Sequence, residues 1–197
     1  MLDLPGPHFA LSELLIVLAA IVCGFKLGKA GLWLAAAGSL LFGLIAAIGA
    51  FRFGMGQIDA LAGIHGAFSQ TGGAIAMSLI AAQLVLHGVL DRRGLERWVY
   101  GTVLVGAFAA IIAPAATLPL FLFWLAIAIG SAALLPAIGL FQRTGRALLV
   151  GIFLINILAV RQSPLLGVGL SWHLFHALVA VWLVCLLFVF SRAKNAG

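Results

Sequence analysis

Three histidines carry the first chemical suggestion in this 197-residue chain. His173 and His176 lie three apart in the apolar run "SWHLFHALVA", and His65 lies in another apolar run together with Ser69. Imidazoles this close on a helix point within about 60° of each other, so one bundle interior receives both. Three neutral imidazoles with a water in a fourth position make an open zinc site that turns water into a nucleophile near neutral pH. Ser69, one turn beyond His65, is the residue placed to orient that water or polarise a carbonyl. Haem b fits the same residues in another way, with His65 and a late histidine as axial ligands. Arg52 and Arg161 would then pair with its propionates.

The elements that must position these residues are set by composition. Hydrophobic residues make up 64% of the chain and charged ones only 8%, with a mean hydropathy of +1.25. Soluble domains carry about 25% charged residues, so the solvent of most of this chain is a bilayer. Cutting at charges and turn signals predicts seven spans, 10–25, 31–51, 62–86, 98–116, 118–140, 146–160 and 172–190, in a single transmembrane domain covering 1–197. Backbone groups in lipid must be satisfied within the protein, and the runs lack strand-like alternation. An all-α polytopic helix bundle follows.

Lys and Arg then give the sidedness. With alternating crossings, Lys26, Lys29, Arg92, Arg93, Arg97, Arg143, Arg146, Arg192 and Lys194 fall on one side, and only Arg52 and Arg161 on the other. The positive-inside rule makes the first side cytoplasmic, the N-terminus external and the membrane a bacterial-type inner membrane. The net charge of +6 is thus a topology signal, and no nucleic-acid partner is expected. The first span has no basic residue ahead of it and is expected to be retained. Cys23 and Cys185 read as small packing residues.

Polar residues inside the spans are expensive and point to function by default. Besides the histidines they include Glu13, Ser39, Gln83, Asn156 and Ser171. The sidedness puts His65, His173 and His176 together in the outer leaflet, rimmed by Arg52, Asp59 and Arg161. On the third span His65, Ser69, Gly72, Gly73 and Ala76 form a small-and-polar stripe that suits close packing or a bound group. Asn156 and Gln83 read as interhelical hydrogen-bonders. Pro114, Pro119 and Pro136 read as a hairpin and a kink, although broken helices would suit a small transporter or assembly subunit without a cofactor. A retinal pigment is disfavoured, because the last span lacks an internal lysine.

The "SWHLFHALVA" run resembles the seventh-helix histidine motif of the CREST superfamily, seven-helix membrane proteins that include alkaline ceramidases and progestin/adiponectin receptors. The resemblance implies a zinc-dependent lipid amide hydrolase, with His173 and His176 in the late ligand role and His65 in the early one; the zinc site read from the residues would serve a lipid ester as well as an amide. The chain departs from that pattern in spacing its late histidines three apart instead of four. It also sets Ser69 after the early histidine and has no intramembrane aspartate. The bilayer is the expected partner and a lipid the expected substrate.

Overall fold

The computed structural model describes residues 6–88, 94–134, 140–161 and 163–190, with the side chains of 140–142 left aside. Arg92, Arg93, Pro136, Arg192 and Lys194 lie outside the described residues. The described residues form an all-α bundle with seven helices long and apolar enough to cross a membrane. We label them α1 (Phe9–Lys29), α2 (Trp33–Gly54), α3 (Ala62–His87), α4 (Leu95–Ile112), α5 (Pro114–Leu134), α6 (Arg143–Val160) and α7 (Gly167–Val189).

Two boundaries differ instructively from the sequence expectation. Helix α1 runs on through Lys26 and Lys29, because a lysine stem can lie along apolar surface while its ammonium reaches water; Lys29 Nζ sits 4.3 Å above the Phe25 ring. Helix α7 begins at Gly167, whose φ of +70° makes the left-handed turn out of the α6–α7 connector. His173 and His176 therefore lie deeper in their helix than a start at residue 172 implied.

Six helices form a ring in the order α1, α2, α3, α5, α6, α7 and back to α1, while α4 packs on the outside of α3 and touches α5. Apolar lipid offers helices no hydrophobic reward for pairing, so close van der Waals fit must hold the ring. Glycines supply it on α2. A Cβ on Gly43 would stand 2.6 Å from that of Ala20, and one on Gly38 would stand 2.7 Å from the Ala76 carbonyl oxygen. Hydrogen bonds add to the fit: Leu34 N–H donates to Gln83 Oε1 (3.2 Å), and Asn156 Nδ2 donates to the Phe175 carbonyl (3.1 Å). Both predicted interhelical hydrogen-bonders thus bridge helices.

The two halves of the bundle are filled differently. Towards the C-terminal end of α1, the buried residues Cys23, Leu27, Ile80, Leu84, Leu183 and Leu186 belong to one continuous apolar core. Towards the other end the ring encloses a cavity of about 930 Å³, to which every helix except α4 contributes. Leu18, Phe25, Leu44, Leu104 and Phe108 are exposed outside the ring and form its lipid-facing surface.

Candidate functional site

A carboxylate sits at the centre of the site. Glu13, on α1, is only 2% exposed, and its Oε1 lies 3.3 Å from His176 Nε2 on α7 and 3.7 Å from His65 Nε2 on α3. All three residues line the cavity. Helix α2 makes the approach possible by offering no side chain at Gly49. A Cβ there would stand 2.6 Å from Glu13 Cδ and 2.9 Å from His65 Nε2.

The hydrogen bonds around the two imidazoles decide where their protons are. His176 Nδ1 lies 2.8 Å from the Trp172 carbonyl oxygen, which can only accept, so that nitrogen carries the proton. A neutral His176 then turns a lone pair on Nε2 towards Glu13 Oε1. Glu13 Oε1 makes no hydrogen bond as it stands, so a proton taken up by the pair would lie between that oxygen and Nε2, 3.3 Å apart. His65 is the reverse case. Arg52 Nη1 lies 3.4 Å from His65 Nδ1 and, being a donor only, fixes that nitrogen as the acceptor. The neutral ring then carries its proton on Nε2 and presents N–H to Glu13. Glu13 Oε1 thus faces an N–H of His65 at 3.7 Å, too long for a hydrogen bond, and a lone pair of His176 at 3.3 Å.

Aromatic rings pack beside this pair. Phe9, Phe53 and Trp172 pack edge to face or tilted, with ring centroids 5.3–5.6 Å apart, one turn towards the N-terminal end from Glu13. Ile58, from the α2–α3 connector, packs on the same cluster and is tied down by Arg52, whose Nε donates to the Ile58 carbonyl at 2.7 Å. Trp172 also stacks on His176 with centroids 4.4 Å apart.

Two π-helical turns, Phe68–Gly72 in α3 and Asn156–Val160 in α6, each place residues on the cavity wall. Such turns insert an extra residue into a helix and recur at functional sites. Here they bring Ser69 and Gln70 to the wall from one side, and Asn156 and Ile157 from the other. The small-residue stripe on α3 is divided by the turn. Ser69 and Gly73 face the cavity, while Gly72 takes the close approach of Ile45 from α2.

The structure thus brings together His65, His176 and Ser69 of the residues expected from sequence, and it separates His173 from them. His173 Nδ1 donates to Ser12 Oγ at 3.1 Å, and its ring packs against His8 and Phe9, with centroids 5.3 and 5.1 Å apart. A 60° difference in direction is enough, with α1 packed against this stretch of α7, to put the two histidines on different sides of α1. Arg52 is engaged by His65 and Ile58, whereas Arg161 lines the cavity.

The three-histidine ligand set is accordingly not assembled, and among the described residues no group of three or more His, Cys, Asp and Glu side chains is placed to hold a metal ion. The Arg52 hydrogen bond gives a physical reason within the site. A metal-ligating imidazole normally donates its second N–H to an acceptor, and Arg52 offers a donor there. Haem between His65 and His176 would have to accommodate the Glu13 carboxyl, whose Oε1 lies within 3.7 Å of both Nε2 atoms. Sequence reasoning counted Glu13 among the intramembrane polar residues but gave it no place in the site, and it missed Gly49. The signal for Glu13 was available, because it alone of the five acidic residues falls inside one of the spans predicted from sequence. Set against family models, curated proteins and solved structures, the chain finds no match.

Proposed function

We propose that the chain is an integral membrane hydrolase of lipid-derived esters or amides, in which the Glu13–His176 pair is the acid–base group. The observation that carries this reading is the buried carboxylate facing an imidazole nitrogen whose ring partner is already committed as a donor. Such a pair can take up one proton, share it between Oε1 and Nε2, and give it back. It sits on the wall of a cavity whose volume, about 930 Å³, lies at the upper end of the roughly 300–1,000 Å³ typical of small-molecule sites. The cavity is lined largely by apolar side chains such as Phe42, Ile45, Phe153 and Val179, which suits an acyl chain.

The chemistry requires no group beyond the chain and water. A water in the cavity gives a proton to the pair as its oxygen bonds to the substrate carbonyl carbon. Collapse of the tetrahedral intermediate breaks the bond to the alcohol or amine, which leaves with the proton returned by the pair. His65 turns its Nε2–H towards the Glu13 carboxyl at 3.7 Å, and Ser69 is available on the same wall to orient the carbonyl. The N-terminal end of the bundle, where the pair lies, is assigned to the outer leaflet of a bacterial-type inner membrane on the strength of the Lys and Arg distribution.

The test is hydrolysis of a panel of lipid esters and amides by chelator-treated, purified protein, with metal content measured in parallel. Wild type is expected to hydrolyse at least one class without metal, and Glu13→Gln and His176→Asn to lose on the order of 10²-fold or more while remaining folded. Activity abolished by the chelator and restored by zinc would overturn the metal-free mechanism. Variants as active as wild type would remove the pair from the chemistry.

A further inference from the structure

The cavity carries an asymmetry that the acid–base chemistry does not use. Its lining includes Arg161, Ser163 and Pro164 from the end of α6 and the α6–α7 connector, and Pro114 and Ala115 from the start of α5. Arg161 is exposed, and its guanidinium lies 6.0 Å from the centre of the Phe175 ring. Among the described residues no carboxylate pairs with it, since the ion-pair contacts of this region all belong to Glu13 with His65 and His176. The other arginine at this end, Arg52, is held by Ile58 and His65. Its backbone fixes Arg161 in place: the amide N–H donates to the Asn156 carbonyl at 2.8 Å and closes the π turn of α6. Inward from Arg161 the wall becomes apolar through Phe175, Ile157, Phe153 and Val179.

We propose that the cavity is specific for single-chain amphiphiles with an anionic head group, a carboxylate or a phosphate monoester, which Arg161 pairs at the mouth while the chain lies along the apolar wall. This deepens the hydrolase reading and rests on the same cavity. A guanidinium offers two parallel N–H donors to a planar or tetrahedral oxyanion, a fork that a neutral glycerol head cannot match. Seated at the mouth of an apolar cavity, it is less screened than a fully solvated surface charge, so the charge is expected to discriminate among ligands.

The experiment uses the full chain in nanodiscs, with Trp33→Phe and Trp98→Phe removing the two strongly lipid-exposed indoles and leaving the cavity residues Trp172 and Trp182 as reporters over a constant background from the buried Trp124, which is not on the cavity lining. Dibromostearate, dibromostearyl phosphate and the neutral dibromostearoyl glycerol are titrated as quenchers. Saturable quenching is expected, with both anionic probes tighter than the neutral one by about tenfold or more, and Arg161→Gln is expected to abolish that preference. Arg161→Lys should recover part of it. Glu13→Gln, which removes the acid–base group but not the guanidinium, should keep it. Equal affinity of wild type for anionic and neutral probes, or a preference unchanged in Arg161→Gln, overturns the proposal. So does displacement of the probes by inorganic phosphate alone, which would mark a soluble-anion site. An Arg161-dependent preference in a protein that hydrolyses no lipid would leave the binding specificity standing and refute the hydrolase reading.

Discussion

Substituting Gly49 by alanine probes the site without touching any ionisable group. The added methyl would sit 2.6 Å from Glu13 Cδ and 2.9 Å from His65 Nε2, on the line of approach of both. Carbon atoms in contact prefer about 3.5–4.0 Å, so the carboxyl must retreat by about 1 Å or α2 must move outward by as much. Neither is cheap. Helix α2 is packed on α1 and α3 through other close glycine contacts, including Gly38 against Ala76 and Gly43 against Ala20. Overpacking of this kind costs about 1–3 kcal/mol. A displacement of about 1 Å at reacting groups typically costs on the order of 10²-fold in rate. Gly49→Ala is therefore expected to lower thermal stability in detergent and to reduce ester or amide hydrolysis by about that factor. Gly63→Ala is the control, since a Cβ at Gly63 meets nothing within 4 Å. It should be neutral, or stabilising by up to about 1 kcal/mol, because alanine is the better helix residue. The double variant Gly49→Ala/Glu13→Ala isolates the clash. Removing the carboxyl should relieve part of the cost, giving a coupling of about 0.5–3 kcal/mol between the two sites. A Gly49→Ala protein as stable and as active as wild type would refute the packing of Glu13 and His65 against α2.

Arg52→Gln should release both Ile58 and the proton on His65; ¹⁵N spectra of labelled histidine should show His65 leaving its single tautomer, with a stability loss of about 1–3 kcal/mol. An unchanged His65 signal would mean that Arg52 does not fix the ring. His173→Gln should leave hydrolysis close to wild type while His176→Asn abolishes it, because His173 bonds Ser12 and not Glu13; equal losses would return His173 to the site. A reporter fused after Lys194 should read as cytoplasmic, and an external signal would reverse the sidedness.

How far the sequence could be read depended on whether one helix or several had to be known. Seven spans follow from composition and length, because apolar runs and the bilayer thickness are properties of each segment alone. Helix ends were harder, since a lysine such as Lys26 can extend a span as easily as end it once its stem lies along the surface. The site was legible where a costly residue advertised itself, as His65 and His176 did. Direction is a different matter. Spacing places His173 and His176 within about 60° of each other, and whether that is together or apart depends on the helix packed against them. Here α1 takes Ser12 to one histidine and Glu13 to the other, although these are neighbours in sequence. Gly49 could not be recognised at all before the fold, since its only property is to offer nothing where two other helices need room. The π turns that turn Ser69 and Asn156 inward leave no mark in an apolar pattern read at 3.6 residues per turn. The acid–base pair and the glycine beneath it are thus products of helix packing, and a single intramembrane acid is the part of them that one span can announce.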